Sequence, residues 1–383
     1  MIELAESQSV ETLSSQFTVC AHRGGLEVID QFADEWQDLC QKSNDDQPFY
    51  RPEWIRAYLR AFTPGAQVAL VAARSGGRLR LLLPLVEEVG TFSRVRVRKM
   101  AAPINLQSVR FDATRYPGPE GDAAVRATWE YLRTCAQWDL LQFNYVPEGG
   151  TVAKLVAMAE ADNFPTIHKT SRPNPQVRLP ENSSHLNQMP RNARLRTKLR
   201  QARRELAERG TLSFHRVDAA DPEALERFYK LESSGWKGEE GSAIACDPAK
   251  RQFFDEIADS AARRAYFCLY LLEWNGQLMA AHFALVLQDR CYSPKVAYDE
   301  KFKEFAPGHL IVSEILKDCV ARGIRVYDIT GDDDDWKMKW TIETRPINHH
   351  LLFTGRRGYL AYAIGSRLRP AVHRLLPRRA PVV

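Results

Sequence analysis

The stretch Tyr298–Ile329, YDEKFKEFAPGHLIVSEILKDCVARGIRVYDI, reads as a strand end, a loop, a helix and a strand. Cys291–Ala297 just upstream forms the strand proper, and Tyr298–Phe305 a polar-aromatic loop. Pro307 suits a first helical turn, because its missing N–H has no partner there anyway. Apolar pairs at Ile311/Val312, Ile315/Leu316 and Cys319/Val320 recur every four residues and bury one stripe. Gly323 ends the helix, and Ile324–Ile329 is an apolar, β-branched strand. A helix start of this kind carries unpaired amides and partial positive charge, which suits a pyrophosphate. Gly308 lets an anion approach the backbone closely, with the amides of Gly308, His309 and Leu310 as candidate donors. Plain scaffold is the competing reading, since every βαβ crossover puts a helix start near a strand end.

Outward from this segment the same rhythm continues. A basic helix at Arg191–Arg209 precedes strand Leu212–Val217 and helices Pro222–Gly235 and Pro248–Arg263. The hairpin Phe267–Glu273/Leu278–Leu287 turns at Asn275-Gly276, a type I′ signal. In the first half, helices Leu26–Cys40 and Glu53–Phe62 precede the hairpin Val68–Ala73/Leu79–Val86 and the half-exposed strand Arg94–Met100. Helix Ala123–Cys135, buried strand Leu140–Tyr145 and helix Thr151–Ala161 follow. The halves thus share an order of elements without a residue-level repeat. The proline-rich SRPNPQVRLPEN at Ser171–Asn182 is the boundary candidate, although Gln176–Leu179 retains the pattern of a last strand for the first sheet. The expected fold is α/β with mixed sheets in two tandem domains: a tail at 1–16, then 17–180 and 181–383.

At 383 residues the chain is long enough for two cored units. No run of 18 apolar residues occurs, so no transmembrane helix is expected, and the acidic N-terminus lacks a secretory pattern. Seven scattered Cys without CxxC spacing argue against a disulfide framework or structural zinc and favour a cytoplasmic, reduced location. A net charge of +5 gives no global nucleic-acid field. Neither a Walker loop, HExxH nor Gly-x-Ser-x-Gly occurs, which leaves NTPase, zincin and hydrolase classes unsupported.

Five segments in order carry a family resemblance: PFYRPEWIRAYLRAF (Pro48–Phe62), NARLRTKLRQARREL (Asn192–Leu206), LESSGWKGEEGSAI (Leu231–Ile244), AYDEKFKEFAPGHLIVSEI (Ala297–Ile315) and YDITGDDDDWKMKW (Tyr327–Trp340). Together they resemble the GNAT-superfamily acyltransferases of the CelD-like type, found with bacterial cellulose and exopolysaccharide biosynthesis and related in fold to the Fem aminoacyltransferases. The resemblance implies two tandem GNAT-like domains, the first degenerate and the second binding acetyl-CoA or a longer acyl-CoA, without a metal. It implies an anchor at Lys303, Pro307, Gly308, His309 and Leu310. Phe305–His309 keeps one glycine of the usual cradle pattern, and Trp336 stands where relatives carry Tyr. Indole cannot protonate a leaving thiolate, so Tyr298 or Tyr327 has to serve, or release needs no protein acid.

Acyl transfer also needs a base for the acceptor and groups for developing charge. Glu232 is either that base or a helix-end carboxylate tied to a cation. Lys237, beside glycines, suits an anion or oxyanion. Asp328, on an apolar strand, is either functional or paired with a cation such as Lys337, and by resemblance Lys337 lies on the acceptor side. Trp236, His282, Tyr298 and Trp340 are candidate acceptor contacts, with core packing as the alternative for Trp236 and His282. Asp332–Asp335 lacks the alternation of a calcium loop and reads as a solvated turn. Leu195, Leu199, Ala202 and Leu206 mark the packed face of the basic helix, its cations left to solvent or to phosphates. Leu360–Leu376 is amphipathic, suited to peripheral contact with anionic lipid or to docking on the second domain. The expected activity is direct acyl transfer to an amine or hydroxyl of a small or saccharide acceptor, in partnership with exopolysaccharide machinery. The alternatives are a non-catalytic accessory subunit of an exopolysaccharide synthase and an aminoacyl-tRNA-dependent transferase.

Overall fold

A computed structural model describes residues 16–181, 186, 188–235, 238 and 240–375, with side chains to 366. The first half runs β1 (Thr18–Gly24), α1 (Leu26–Lys42), α2 (Pro52–Phe62), β2 (Gln67–Ser75), β3 (Arg78–Phe92), β4 (Val95–Ala101), β5 (Thr114–Arg115), α3 (Gly118–Thr134), β6 (Leu140–Pro147), α4 (Thr151–Ala161), β7 (Thr166–Thr170) and β8 (Asn174–Arg178). The second runs α5 (Ala193–Arg209), β9 (Leu212–Val217), α6 (Pro222–Ser233), α7 (Pro248–Arg263), β10 (Phe267–Trp274), β11 (Gln277–Leu287), β12 (Arg290–Tyr298), α8 (Pro307–Ala321), β13 (Val326–Asp328), α9 (Asp335–Met338), β14 (Thr344–Arg345), β15 (Ile347–Phe353) and α10 (Gly355–Leu375). Each element expected from periodicity is present, with ends displaced by a few residues. Tyr298–Phe305 departs from expectation: Glu300–Phe305 is a 3₁₀ helix, because Asp299 accepts from the Lys301 amide while Phe302 and Phe305, three apart, are both buried.

Both sheets are mixed. The first has the order β1-β2-β3-β4-β6-β15-β7, with β5 on β3; the second has β14-β8-β13-β12-β11-β10-β9. In each, one parallel pair, β4–β6 or β12–β13, is bridged by a crossover helix, α3 or α8. Pro-Gly marks the start of both helices, Pro117-Gly118 and Pro307-Gly308. That correspondence is the residue-level trace of the shared order, and it is too short to stand out in the sequence.

The sheets exchange strands. β8, expected to complete the first sheet, pairs with β13 and β14 in the second. β15, which sequence reading left unassigned, inserts between β6 and β7 of the first sheet. Its INHHLLF lacks period-2 alternation because both faces are covered at its end, Leu352 in one apolar cluster and Leu351 and Phe353 in another with Ala361 of α10. The strand pairing therefore does not follow the expected division at 180/181, and one apolar cluster runs through both halves. Phe49 meets Tyr292 at 5.4 Å between ring centroids, and Trp54 meets Phe253 at 5.1 Å. Residues 1–180 expressed alone would lack β15 and leave the apolar edge of β6 unpaired. They are expected to be insoluble, and co-expression with 181–383 to restore a soluble pair. A soluble 1–180 fragment with a single cooperative melt would contradict the exchange.

Candidate active site

The β12–β13 ladder ends at Tyr292–Asp328, yet β12 runs on to Tyr298. A bulge helps to turn it: Ser293 and Pro294 oppose the single residue Ala284 of β11. Proline has no N–H to give the ladder, so a bulge is where it fits. The parting strands leave a cleft of about 800 Å³, lined by Ser293–Tyr298, the start of α8, Ile329–Gly331, the end of α6, and Leu106 and Val109 from the first half. In the first sheet the β4–β6 ladder likewise ends, at Ala101–Gln142. There the gap is filled by chain: Phe111 N–H donates to the Tyr145 carbonyl, and Asp112 accepts from the Thr151 and Val152 amides.

At the start of α8 the expected amide cradle is smaller than the sequence implied. Ala306 is left-handed (φ 52°, ψ 56°), which turns its carbonyl into the helix. The amides of His309 and Leu310 both donate to that carbonyl at 3.0 Å. Gly308 N–H is the one first-turn amide left for a ligand, since Pro307 has none. Leu310 packs in the core, while Lys303, Pro307, Gly308 and His309 line the cleft.

The His309 ring has a defined tautomer. Trp340, buried and outside the cleft lining, donates its indole N–H to His309 Nδ1 at 3.0 Å. Indole is only a donor, so Nδ1 is an acceptor and the neutral ring carries its proton on Nε2. Burial, then the charges of Lys339 and Lys198, push the imidazole down to about 4. Unfolded, a histidine takes up its proton near pH 6.5. The unfolded chain therefore binds more protons between pH 6.5 and 4, and this ring loses its stabilising contribution as pH falls through that window. Other histidines share the trend, so the comparison is with His309→Gln. That variant is expected to lose about 3 kcal/mol less between pH 7 and 4 in urea titrations. Parallel curves would show that the ring does not titrate as stated.

Asp328 is not in the cleft. It is fully buried and paired with Arg110, not with Lys337. Arg110 Nη1 and Nη2 reach its two oxygens at 2.8 and 3.0 Å, and the Gln176 side chain and Thr330 amide complete its shell. Arg110 also donates to Gln47 and Asn174, so one guanidinium joins the halves. In the sequence it is a lone cation between Val109 and Phe111, with no local signal of its partner. Lys337 lines the cleft but is committed to its own turn. Its ammonium donates to the Thr330 and Asp332 carbonyls at 2.9 and 2.7 Å and lies 3.2 Å from Asp334. Burial pushes its pKa below the usual lysine range. Asp332, Asp333 and Asp334 are further held by Arg172, so the acidic turn is an ion-paired strut. Among the described residues no three His, Cys, Asp or Glu side chains converge as metal ligands.

Glu232 lines the cleft, buried, and accepts the Ile244 amide at 2.7 Å. His282 also lines it, its Nδ1 lying 3.0 Å from Ser293 Oγ and 3.1 Å from the Tyr327 hydroxyl. Of the two phenols expected near the thiolate, Tyr298 is in the cleft lining and Tyr327 is enclosed behind His282. Trp236 and Lys237 lie outside the described residues. Sequence reading missed Lys198 and Lys339 at the cleft; both sit in basic stretches where nothing local separates a cleft-facing lysine from a solvated one. The packed face of α5, Leu195, Leu199, Ala202 and Leu206, is as expected.

Residues 193–338 match the acetyltransferase (GNAT) domain family, a stretch that includes α5, Lys337 and most of the cleft lining but not Leu106, Val109 or Lys339. The second half is thus similar, over that stretch, to GNAT acetyltransferase domains. Among curated proteins none matches the sequence. Solved structures share the fold of nearly the whole chain. FemX is 13% identical over 83% of this chain and 95% of its own, with a TM-score of 0.56. The C-terminal domain of a putative lysylphosphatidylglycerol synthetase from Agrobacterium fabrum is 11% identical over 89% and 97%, with a TM-score of 0.51. A protein of unknown function from Bacteroides thetaiotaomicron is 9% identical over 86% and 98%, at 0.53. No described helix is long and apolar enough to cross a membrane.

Proposed function

We propose that the chain transfers an acyl group from acyl-CoA directly to an amine or hydroxyl, on a small or saccharide acceptor of cell-envelope or exopolysaccharide synthesis. The observation that carries this is the cleft between β12 and β13, whose lining holds Gly308, five lysines, Glu232 and His282. The acceptor attacks the thioester carbon, a C–N or C–O bond forms, and the C–S bond breaks. Glu232 takes the acceptor proton, and Tyr298 is the phenol available to the departing thiolate. Neither a nucleophilic Cys nor Ser is required, and the buried Cys291 and Cys319 thiols are outside the cleft lining.

Glu232→Gln is expected to lower thiol release about 10²–10⁴-fold across a panel of amine and sugar acceptors, with CoA affinity within about threefold. Unchanged turnover would clear Glu232 of the role. Wild type that binds acyl-CoA yet releases thiol with no acceptor would instead support an accessory role in a polysaccharide synthase. The commitment of Lys337 and Asp328 to structural contacts favours that second reading. Aminoacyl transfer from tRNA is a third, suggested by the fold shared with FemX.

A further inference from the structure

Pro307 has no amide and that of His309 is taken by the Ala306 carbonyl, so whatever anion enters this cleft finds one free amide, that of Gly308, and must be held mainly by other groups. Of the five lysines in the cleft lining, Lys337 is committed to its own turn and Lys295 donates to Gln107; the other three come from different segments, Lys198 from α5, Lys303 from the 3₁₀ turn and Lys339 from the end of the acidic turn. Among the described residues none of the three has an acidic partner within ion-pair distance, whereas Lys42, Lys99, Lys154, Lys230, Lys250 and Lys317 each have one. The acidic groups in the same lining are engaged. Asp334 is tied to Lys337 and Arg172 and Glu232 to the Ile244 amide, while Glu300 acts on the Tyr298 phenol and, after burial, raises its pKa. Lys198, His309 and Lys339 line the same cleft, and both ammonium groups act electrostatically on the ring. Trp340 leaves that ring with a proton on Nε2, a neutral donor in the same lining as the two cations.

We propose that Lys198, His309 and Lys339 bind a phosphate group of the donor nucleotide through their side chains, in place of a row of backbone amides. This rests on the acyl-CoA reading above. It gives α5 a role that its packed face does not explain: one turn beyond the buried Leu195, the helix offers Lys198 to the cleft. Two ammonium groups and one N–H suit a phosphate dianion or pyrophosphate, and bonds to charged partners are the stronger class.

The test uses the full chain and a ladder of probes: CoA, dephospho-CoA and pantetheine, each read by thermal shift and calorimetry at two salt concentrations. Lys198→Met/Lys339→Met is expected to weaken CoA binding about 10- to 100-fold and to flatten its salt dependence, leaving pantetheine binding unchanged. Both side chains are exposed, so the unliganded melting temperature should stay within about 2 °C. His309→Phe is expected to lose about tenfold, and His309→Gln, which keeps an N–H, no more than about threefold. Wild type that binds CoA while the double lysine variant binds it equally tightly overturns this assignment and leaves the donor reading intact. Wild type stabilised by a CCA-ended RNA oligonucleotide and not by CoA overturns the donor reading itself, and this assignment with it.

Discussion

Gly308→Asp is expected to abolish the stabilisation of this protein by CoA while leaving the unliganded protein as stable as wild type, or slightly more so. The two effects separate because the glycine serves the ligand and not the fold. A Cβ at residue 308 would meet Tyr298 Cδ1 at 3.5 Å, an ordinary contact, with nothing else closer. The backbone is helical there, and glycine is a poor helix former, so a side chain recovers about 0.5–1 kcal/mol. A carboxylate in the first turn also faces the positive end of the helix dipole, worth about 0.3–1 kcal/mol. The same carboxylate occupies the approach to the one free amide and repels a phosphate. At a CoA concentration a hundred times Kd, wild type gains about 2.7 kcal/mol by mass action, and the variant should gain none. Thermal shifts with and without CoA measure both numbers. Equal stabilisation of the two proteins would remove the start of α8 from the binding site.

The second large effect concerns the Arg110–Asp328 pair. Arg110→Met is expected to cost about 3–5 kcal/mol in urea unfolding, because it strands a fully buried carboxylate that lost its water on folding. Arg110→Met/Asp328→Leu should recover much of that loss, since replacing both charges removes the desolvation cost along with the attraction. Recovery will be incomplete: Gln47, Asn174, Gln176 and the Thr330 amide each lose a partner. A single variant costing under about 1 kcal/mol would mean that the pair does not hold the halves together. Asp328→Asn separates the two roles given to this residue. A structural acid loses stability with turnover following it, whereas a catalytic one loses turnover in a protein of unchanged stability.

Much of this architecture is legible along the chain, for a physical reason. Helix and strand periods, Pro307 at a helix start, Asn275-Gly276 at a turn and the buried stripe of α5 each arise from interactions a few residues long. The same holds for the cleft residues grouped around one helix start, Lys303, Pro307, Gly308 and His309. The exceptions are instructive. Asp299 capping Glu300–Phe305 is local and was present to be read, but polar residues around two phenylalanines disguise a 3₁₀ turn as a loop. The β15 segment is disguised because its end is covered on both faces, so that Leu351, Leu352 and Phe353 are apolar in a row.

The sequence by itself determined the fold class, the crossover that builds the cleft, and the residue types gathered around it. Tertiary structure alone decided who is paired with whom. Asp328 takes Arg110, 218 residues away, because strand exchange brings the halves together around one buried guanidinium. Lys337, assigned to the acceptor by pattern, spends its donors on its own turn. The Ala306 carbonyl takes the His309 amide as well as that of Leu310, which no residue type announces. Lys198 reaches the cleft only once α5 has docked. Burial, and the need to satisfy every charge that it removes from water, is a property of the assembled molecule, and it is what divides the engaged groups from those left for a ligand.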